Sequence, residues 1–160
     1  MAKRLDKPIR LYVLAVFVVV GYGLLPLVSA FPFSGGGLLV GPIILPLNGS
    51  ILALTGSYSE TPVWVVAISL SLSLFAALAS VLAAAGISEA RWATLVLVTL
   101  DVLWWIFLVV LLVRSSENPA GAGIRASIEI IIPLFWLGFV WWNYTRPDIT
   151  AYYRQIDETP

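Results

Sequence analysis

The 160-residue chain contains no histidine and no cysteine, and its single methionine is Met1. These absences remove the usual axial ligands of haem, the usual zinc ligand sets, cysteine-ligated iron–sulfur clusters and thiol nucleophiles. The chain also has no glycine-rich phosphate-binding loop and no Ser/His/Asp arrangement. We therefore expect no metal site, no cofactor and no catalytic residue. Without cysteine, the sequence holds no disulfide evidence about its compartment.

Charge is also scarce. Only 11% of the residues are charged, nine basic and nine acidic, whereas 60% are hydrophobic. The mean hydropathy of +0.97 lies far outside the range of soluble proteins. Because the net charge is zero, the chain has no basic field for nucleic acid. We expect one domain over residues 1–160 and no nucleic-acid partner.

Long apolar runs take up most of the chain and predict helices at about 9–30, 63–85, 92–113 and 126–144. About 20 apolar residues span a bilayer as a helix. The predicted fold is therefore an all-α integral membrane four-helix bundle. A different interpretation of the first run is a signal peptide, with Val28-Ser29-Ala30 as its cleavage site.

The connector over 31–61 is rich in glycine and proline, and its only charge is Glu60. Its apolar pieces are too short to span a bilayer, so we predict a long outer loop between the first two helices. Such an apolar loop is a candidate contact surface for another subunit, or it lies on the lipid interface. The tail over 145–160 is predicted to carry a short interfacial helix at about 148–155.

The distribution of basic residues predicts an orientation. Seven of them lie in the N-terminal segment, the connector between the second and third helices and the tail, whereas Arg114 and Arg125 lie on the other side. Cytoplasmic loops carry an excess of lysine and arginine. The expected location is therefore the cell (inner) membrane, in multi-pass form, with both termini in the cytoplasm.

Asp101 is the sharpest single feature, since it falls roughly 14 Å into the third predicted helix, near the bilayer midplane. A carboxylate there should face the interior, be paired or be protonated. Antiparallel pairing sets it opposite Ala76, with Ser73 and Ser80 one turn to either side. These three belong to a small-residue stripe suited to close helix packing: Ser69, Ser73, Ala76, Ser80 and Ala84. Asp101 either locks this hairpin by a hydrogen bond or acts as a proton or cation relay.

Aromatic residues form a third feature. Pairing of the last two helices predicts one cluster near mid-membrane: Trp104, Trp105, Phe107, Phe135 and Trp136. Tryptophan usually prefers the membrane interface, so two adjacent ones at this depth are unusual. The cluster is a candidate site for a quinone, a carotenoid or another flat apolar ligand. The alternatives are internal packing and contact with a neighbouring subunit.

The two ends of the chain resemble small uncharacterised four-helix prokaryotic inner-membrane proteins. The resemblance rests on Lys7-Pro8-Ile9-Arg10-Leu11 before the first apolar run, and on Asn143-Tyr144-Thr145-Arg146-Pro147-Asp148-Ile149-Thr150-Ala151-Tyr152-Tyr153 at the close. In that group the final helix typically ends in an aromatic residue, followed by Arg-Pro-acidic and a short amphipathic tail. The resemblance implies a prokaryotic inner-membrane protein and assigns no catalytic residue.

Three functional hypotheses follow. The first is a non-catalytic subunit or scaffold of a larger respiratory, photosynthetic or transport assembly, whose partners are membrane lipids and other membrane subunits or further copies of the chain. The second is a small oligomeric proton or cation transporter or channel that uses Asp101. The third is a binder of an apolar ligand such as quinone, carotenoid or lipid at the tryptophans.

Overall fold

The computed structural model describes residues 7–24, 63–115 and 119–158, and every regular element within them is helical. The elements are α1 (Ile9–Val18), which continues as a π-helical segment (Val19–Leu24), α2 (Val63–Ala85), α3 (Ser88–Ser115), α4 (Pro119–Tyr144) and α5 (Pro147–Asp157). The all-α prediction is confirmed over this part of the chain. The predicted outer loop 31–61 and the end of the predicted first helix, with its alternative cleavage site, lie outside the described residues.

α2 and α3 form a tight antiparallel hairpin that turns at Gly86. The φ angle of Gly86 is +106°, a left-handed conformation that residues with a Cβ rarely adopt. Its N–H donates to the Ala83 carbonyl oxygen at 2.9 Å and ends α2. α3 then begins at Ser88, ahead of the predicted position 92, because Glu89 in its first turn favours a helix start.

α4 also begins earlier than predicted, at Pro119 instead of about 126. Proline is favoured at the first helical position because it has no N–H to lose there. Gly121 and Gly123, which the sequence places in a connector, lie inside the helix. Glycine is common in apolar helices, so these two residues do not prevent the helix from forming.

The interior of the bundle is mainly apolar and also holds a few polar side chains, whereas many large apolar side chains lie on the outer surface. Ser73 and Ser80 are fully buried, and Asp101 is 1% exposed. By contrast, Phe75 is 59% exposed and Phe135 is 77% exposed. Exposed apolar surface of this extent is typical of sites that contact a membrane or another protein.

Two hydrophobic clusters hold the helices together. The larger one joins α1, α2, α3, α4 and α5 through residues that include Leu11, Ala76, Val98, Val140 and Ile149. The smaller one is formed by Val65, Trp105, Leu108 and Val109, with Trp104 and Ile130 packed against it. α5 lies across the end of the hairpin, where a Cβ on Gly86 would meet Tyr152 Oη at 3.6 Å.

Two stretches are long and apolar enough to cross a membrane, Ala67–Ala85 in α2 and Ser88–Leu111 in α3. A shorter apolar helix covers Ile9–Tyr22. About 20 apolar residues are needed to span the hydrocarbon core of a bilayer, and both longer stretches approach or exceed that length.

Candidate functional site

Asp101 lies in the middle of α3 and is buried against α2. Ser73 Oγ donates a hydrogen bond to Asp101 Oδ1 at 3.3 Å, which joins the two helices of the hairpin. Within residues 7–24, 63–115 and 119–158 the one ion pair joins Arg10 and Asp148, so Asp101 has no cationic partner there. The carboxyl group is therefore held by a hydroxyl and by burial alone in this part of the chain.

The small-residue stripe of α2 faces the interior along its whole length. Ser69, Ser73, Ala76, Ser80 and Ala84 are all buried. Trp104 Nε1 donates to Ser69 Oγ at 2.9 Å, one turn from the Asp101 contact. The stripe therefore provides two polar contacts to α3, one to a tryptophan and one to a carboxylate.

Ser80, however, does not bond to Asp101. Its Oγ shares a hydrogen bond of 2.8 Å with Tyr144 Oη, at the end of α4. Ser73 and Ser80 are two turns apart, about 10 Å along the helix axis, so one carboxyl group cannot reach both. The actual register places Asp101 at Ser73 rather than midway between the serines at Ala76. Ser80 instead joins the hairpin to α4.

Tyr22 is a polar residue of this region that sequence reasoning missed, and it lies next to Trp136 of the predicted aromatic cluster. Tyr22 is fully buried at the end of the π-helical segment and is close enough to Asp101 to interact with it electrostatically. Within the described part of the chain, Tyr22 Oη and Trp136 Nε1 have no partner that meets hydrogen-bond geometry, although the two groups are neighbours. The only sequence signal was the glycine pair that flanks Tyr22.

The predicted aromatic cluster divides into separate parts. Trp104 contacts the rings of Trp64 and Phe107, at centroid distances of 6.1 Å and 5.6 Å. Trp136 instead contacts Phe17 and Phe139, at 5.9 Å and 5.5 Å.

The remaining members of the predicted cluster also lie apart. Trp105 is 1% exposed and belongs to the smaller hydrophobic cluster, whereas Trp136 packs on the larger one and Phe135 is exposed. Residues 104 and 135 can lie level along the helix axes, but their rings touch only if both also face the shared interface. The helical rotation of α4 instead turns Phe135 outward, so these rings do not form a single pocket.

Tyrosines at the end of the bundle tie α5 to the hairpin. Tyr153 Oη donates to the Ala83 carbonyl oxygen at 2.6 Å, next to the turn at Gly86. Burial raises the pKa of Tyr153, nearby Tyr144 raises it further and Arg91 opposes the shift. The sequence predicts only a short interfacial helix at about 148–155, so the buried hydrogen bond of Tyr153 was not predicted.

We expect the contribution of Tyr153 to depend on pH. Tyrosine in an unfolded chain has a pKa of about 10, and the folded protein holds this proton more tightly. Stability that is present below pH 10 should therefore be lost as the pH rises above it. In thermal unfolding in detergent, the wild type should lose stability between about pH 10 and 12 more steeply than Tyr153→Phe. Parallel curves for the two proteins would contradict this.

In the described part of the chain, no group of three or more histidine, cysteine, aspartate or glutamate residues could hold a metal ion. Comparison with protein-family models, with curated proteins and with solved structures finds no match. The resemblance of the two end motifs therefore stays a prediction. Because no relative suggests a role for Asp101 and its neighbours, their role has to be inferred from the contacts and burial of these residues.

Proposed function

We propose that the chain is a multi-pass membrane protein that serves as a non-catalytic subunit or scaffold of a larger membrane assembly. The observation that carries the proposal is the large apolar surface on the outside of the bundle. Many large apolar side chains of α2 and α3 are exposed, whereas the carboxyl group of Asp101 and the hydroxyl groups of Ser69, Ser73 and Ser80 are buried. Lipid solvates such a surface, whereas water does not.

The extent of exposed apolar surface supports insertion. Fewer than half of the residues in the two long apolar stretches are buried inside the bundle, 47% in α2 and 44% in α3. Outward-facing side chains such as Phe75, Leu78 and Leu103 are each more than half exposed. Leaving such surface in water costs about 25 cal/mol per Å², so these residues together favour a lipid or protein environment.

Contacts at one end of the bundle support the proposed topology of four spans with both termini in the cytoplasm. Arg10 at the start of α1 pairs with Asp148 at the start of α5 at 4.0 Å. The two ends of the described chain therefore meet on one side. Arg91 and Arg154 line a cavity at the same end, together with Tyr153 of α5. This clustering of arginines agrees with a cytoplasmic face.

The scaffold role is supported by how the polar groups are used. Ser69 and Ser73 form hydrogen bonds with side chains of α3, and Ser80 forms one with Tyr144 of α4. These three hydrogen bonds therefore join α2 to both α3 and α4. Large aromatic side chains are exposed on the outer surface of the bundle: Phe135 is 77% exposed and Trp142 is 62% exposed. Rigid aromatic side chains of this kind suit contact with another subunit.

One observation favours a second function, a proton or cation relay at Asp101. Tyr22 Oη and Trp136 Nε1 are neighbours in the same buried region, close to Asp101, and neither meets hydrogen-bond geometry in the described chain. Buried polar groups normally have well-formed hydrogen bonds, so such a group of poorly paired ones beside a carboxyl group is compatible with a functional site or with bound water. In this alternative, Asp101 and Tyr22 would carry a proton through an oligomer.

The first experiment is extraction from the native membrane in a mild detergent, followed by determination of the mass and composition of the particle. We expect the chain to stay in the membrane fraction when the membranes are washed with carbonate. In the detergent-extracted particle we expect distinct companion proteins in a fixed ratio to this chain. A particle that contains this chain alone would contradict the subunit role. Recovery of the chain in the soluble fraction would contradict membrane insertion itself.

Asp101→Asn separates the two functions. An asparagine amide oxygen still accepts the bond from Ser73, so the scaffold proposal predicts an intact particle and a change in unfolding free energy below about 1 kcal/mol. Ser73→Ala is the matched variant, which removes the donor and should cost a similar small amount. Loss of proton flux in liposomes on Asp101→Asn, with the particle intact, would favour the relay.

A further inference from the structure

A cavity of about 420 Å³ lies between the beginning of α3 and α5. It is separate from the site around Asp101, which lies in the middle of α3. Its walls carry two arginines, Arg91 from α3 and Arg154 from α5, and the hydroxyl-bearing Ser88 and Thr150. A volume of this size lies within the range of small-molecule sites, about 300–1,000 Å³.

Arg91 is the unusual member of this cavity, because it is only 8% exposed. Its Nη1 donates to Thr150 Oγ1 at a long 3.4 Å, and its Nε has no hydrogen-bond partner in the described chain. The guanidinium lies over the rings of Trp92 and Tyr153, at 4.8 Å and 5.1 Å from their centroids. These rings contact the guanidinium but carry no negative charge to neutralise it.

A buried guanidinium without a carboxylate is costly. The ion pair between Arg10 and Asp148 is the one found in residues 7–24, 63–115 and 119–158, so none of the described carboxylates pairs with Arg91. Buried charges in proteins are normally paired or fully hydrogen-bonded. The unmet positive charge of Arg91 therefore indicates an anionic ligand.

The position of Arg91 on α3 strengthens this expectation. It lies in the first turn of the helix that begins at Ser88. The first N–H groups of a helix have no intrahelical partner, and the helix dipole makes this end positive. An arginine here adds to a field that already attracts anions, and phosphate is a common ligand of such helix ends. Arg154, exposed at the rim, adds a second positive charge.

Two carboxylates also line the cavity, Glu89 from α3 and Asp157 from α5, and both are exposed. They would repel an anion that carried negative charge alone. They suit a ligand that presents a positive group beside its phosphate. The lining thus has two positive and two negative side chains, with the guanidinium of Arg91 buried and the carboxylates nearer solvent.

We propose that this cavity binds the headgroup of a zwitterionic phospholipid, with the phosphate on Arg91 and the ammonium on Glu89 and Asp157. The proposal rests on the membrane insertion proposed above, which places this end of the bundle at the level of lipid headgroups. The ligand chemistry is a phosphodiester with an adjacent ammonium, as in phosphatidylethanolamine. Bound lipid would then hold α5 against the hairpin.

The test uses the full chain, purified in detergent, stripped of lipid and titrated by native mass spectrometry. The probes are dihexanoyl phosphatidylethanolamine, dihexanoyl phosphatidylglycerol, dihexanoylglycerol and inorganic phosphate. We expect phosphatidylethanolamine to bind at least roughly 10-fold more tightly than the other three, because one charge-assisted contact is worth about that much. Equal binding of phosphatidylglycerol, or binding of inorganic phosphate as tight as that of the lipid, would overturn the proposal.

Variants locate the site. Arg91→Gln should weaken phosphatidylethanolamine binding roughly 10- to 100-fold. Arg154→Gln at the rim should weaken it by less, roughly threefold. Glu89→Gln with Asp157→Asn should remove the preference over phosphatidylglycerol. Arg114→Gln, an exposed arginine at the other end of α3, is the matched control and should change nothing.

Replacing the buried Arg91 could impair folding. The residues Arg154, Glu89 and Asp157 are exposed, so their variants should fold and test the site independently. Unchanged binding in all of them would overturn the headgroup site while leaving membrane insertion intact. A chain recovered outside the membrane fraction would instead overturn the proposed function before any titration. The two failures are therefore distinguishable.

Discussion

Replacing Trp105 by alanine is expected to lower the free energy of unfolding by about 3–5 kcal/mol, the largest loss for any single substitution considered. Trp105 is 1% exposed and sits at the centre of the smaller hydrophobic cluster with Val65, Leu108 and Val109. Truncation would leave a cavity that these aliphatic side chains cannot fill by small movements. In the membrane setting proposed above, the hydrophobic drive between helices is weak, and packing contacts such as these supply much of the association energy.

Phe135→Ala is the matched control for this prediction. Phe135 is 77% exposed, so its truncation should leave the stability of the isolated chain nearly unchanged. If the chain is a subunit, the same variant should instead release companion proteins from the particle. Unfolding in a mild detergent with increasing dodecyl sulfate measures the first effect, and particle mass measures the second. A stable Trp105→Ala protein would show that the α2–α3 interface is held elsewhere.

Ala76→Leu is expected to be the second most damaging substitution, with a loss of about 1–3 kcal/mol or more. Ala76 is fully buried between the Ser73 and Ser80 contacts, where α2 packs closely on its neighbours. A leucine side chain would force the helices apart and lengthen the Ser73–Asp101 and Ser80–Tyr144 hydrogen bonds. The substitution therefore acts on packing and on polar contacts together.

Ala67→Leu makes the same chemical change on the outer face of α2, where residue 67 is exposed. Its unfolding free energy should stay within about 0.5 kcal/mol of the wild type, as for most surface substitutions. If Ala76→Leu and Ala67→Leu were equally tolerated, close approach of the helices at the stripe would not contribute to stability. Thermal unfolding of both variants in the same detergent gives the comparison.

Helix content was predictable because the apolar runs are long and their ends carry strong local signals. Gly86 illustrates this: it predicts the end of the second helix at Ala85, and α2 ends there. The beginnings of α3 and α4 were less predictable. Ser88 and Pro119 start their helices inside segments that look polar or glycine-rich, since first-turn preferences outweigh composition at a helix start.

The candidate site was predictable in part. The contact between Ser73 and Asp101 lies on the stripe that the sequence singles out, because residues three or four apart share a helix face. The partner of Ser80 and the separation of Trp104 from Trp136 were not predictable. Each depends on the rotation of α4 about its own axis, and the mostly apolar stretch after Glu129 has too few polar residues for its pattern to set that rotation.

By itself, the sequence determined an all-α fold with segments long enough to cross a bilayer, the antiparallel pairing of the second and third helices and a buried carboxyl group at Asp101. These properties follow from local chemistry: apolar length, backbone conformation and the cost of charge away from water. Only the tertiary structure decided that Tyr22 approaches Asp101 and that Tyr153 holds α5 to the hairpin. It also decided that Arg91 is buried and forms no ion pair with a carboxylate of the described residues. Those contacts join residues distant in sequence, and they depend on helix rotations that only packing sets.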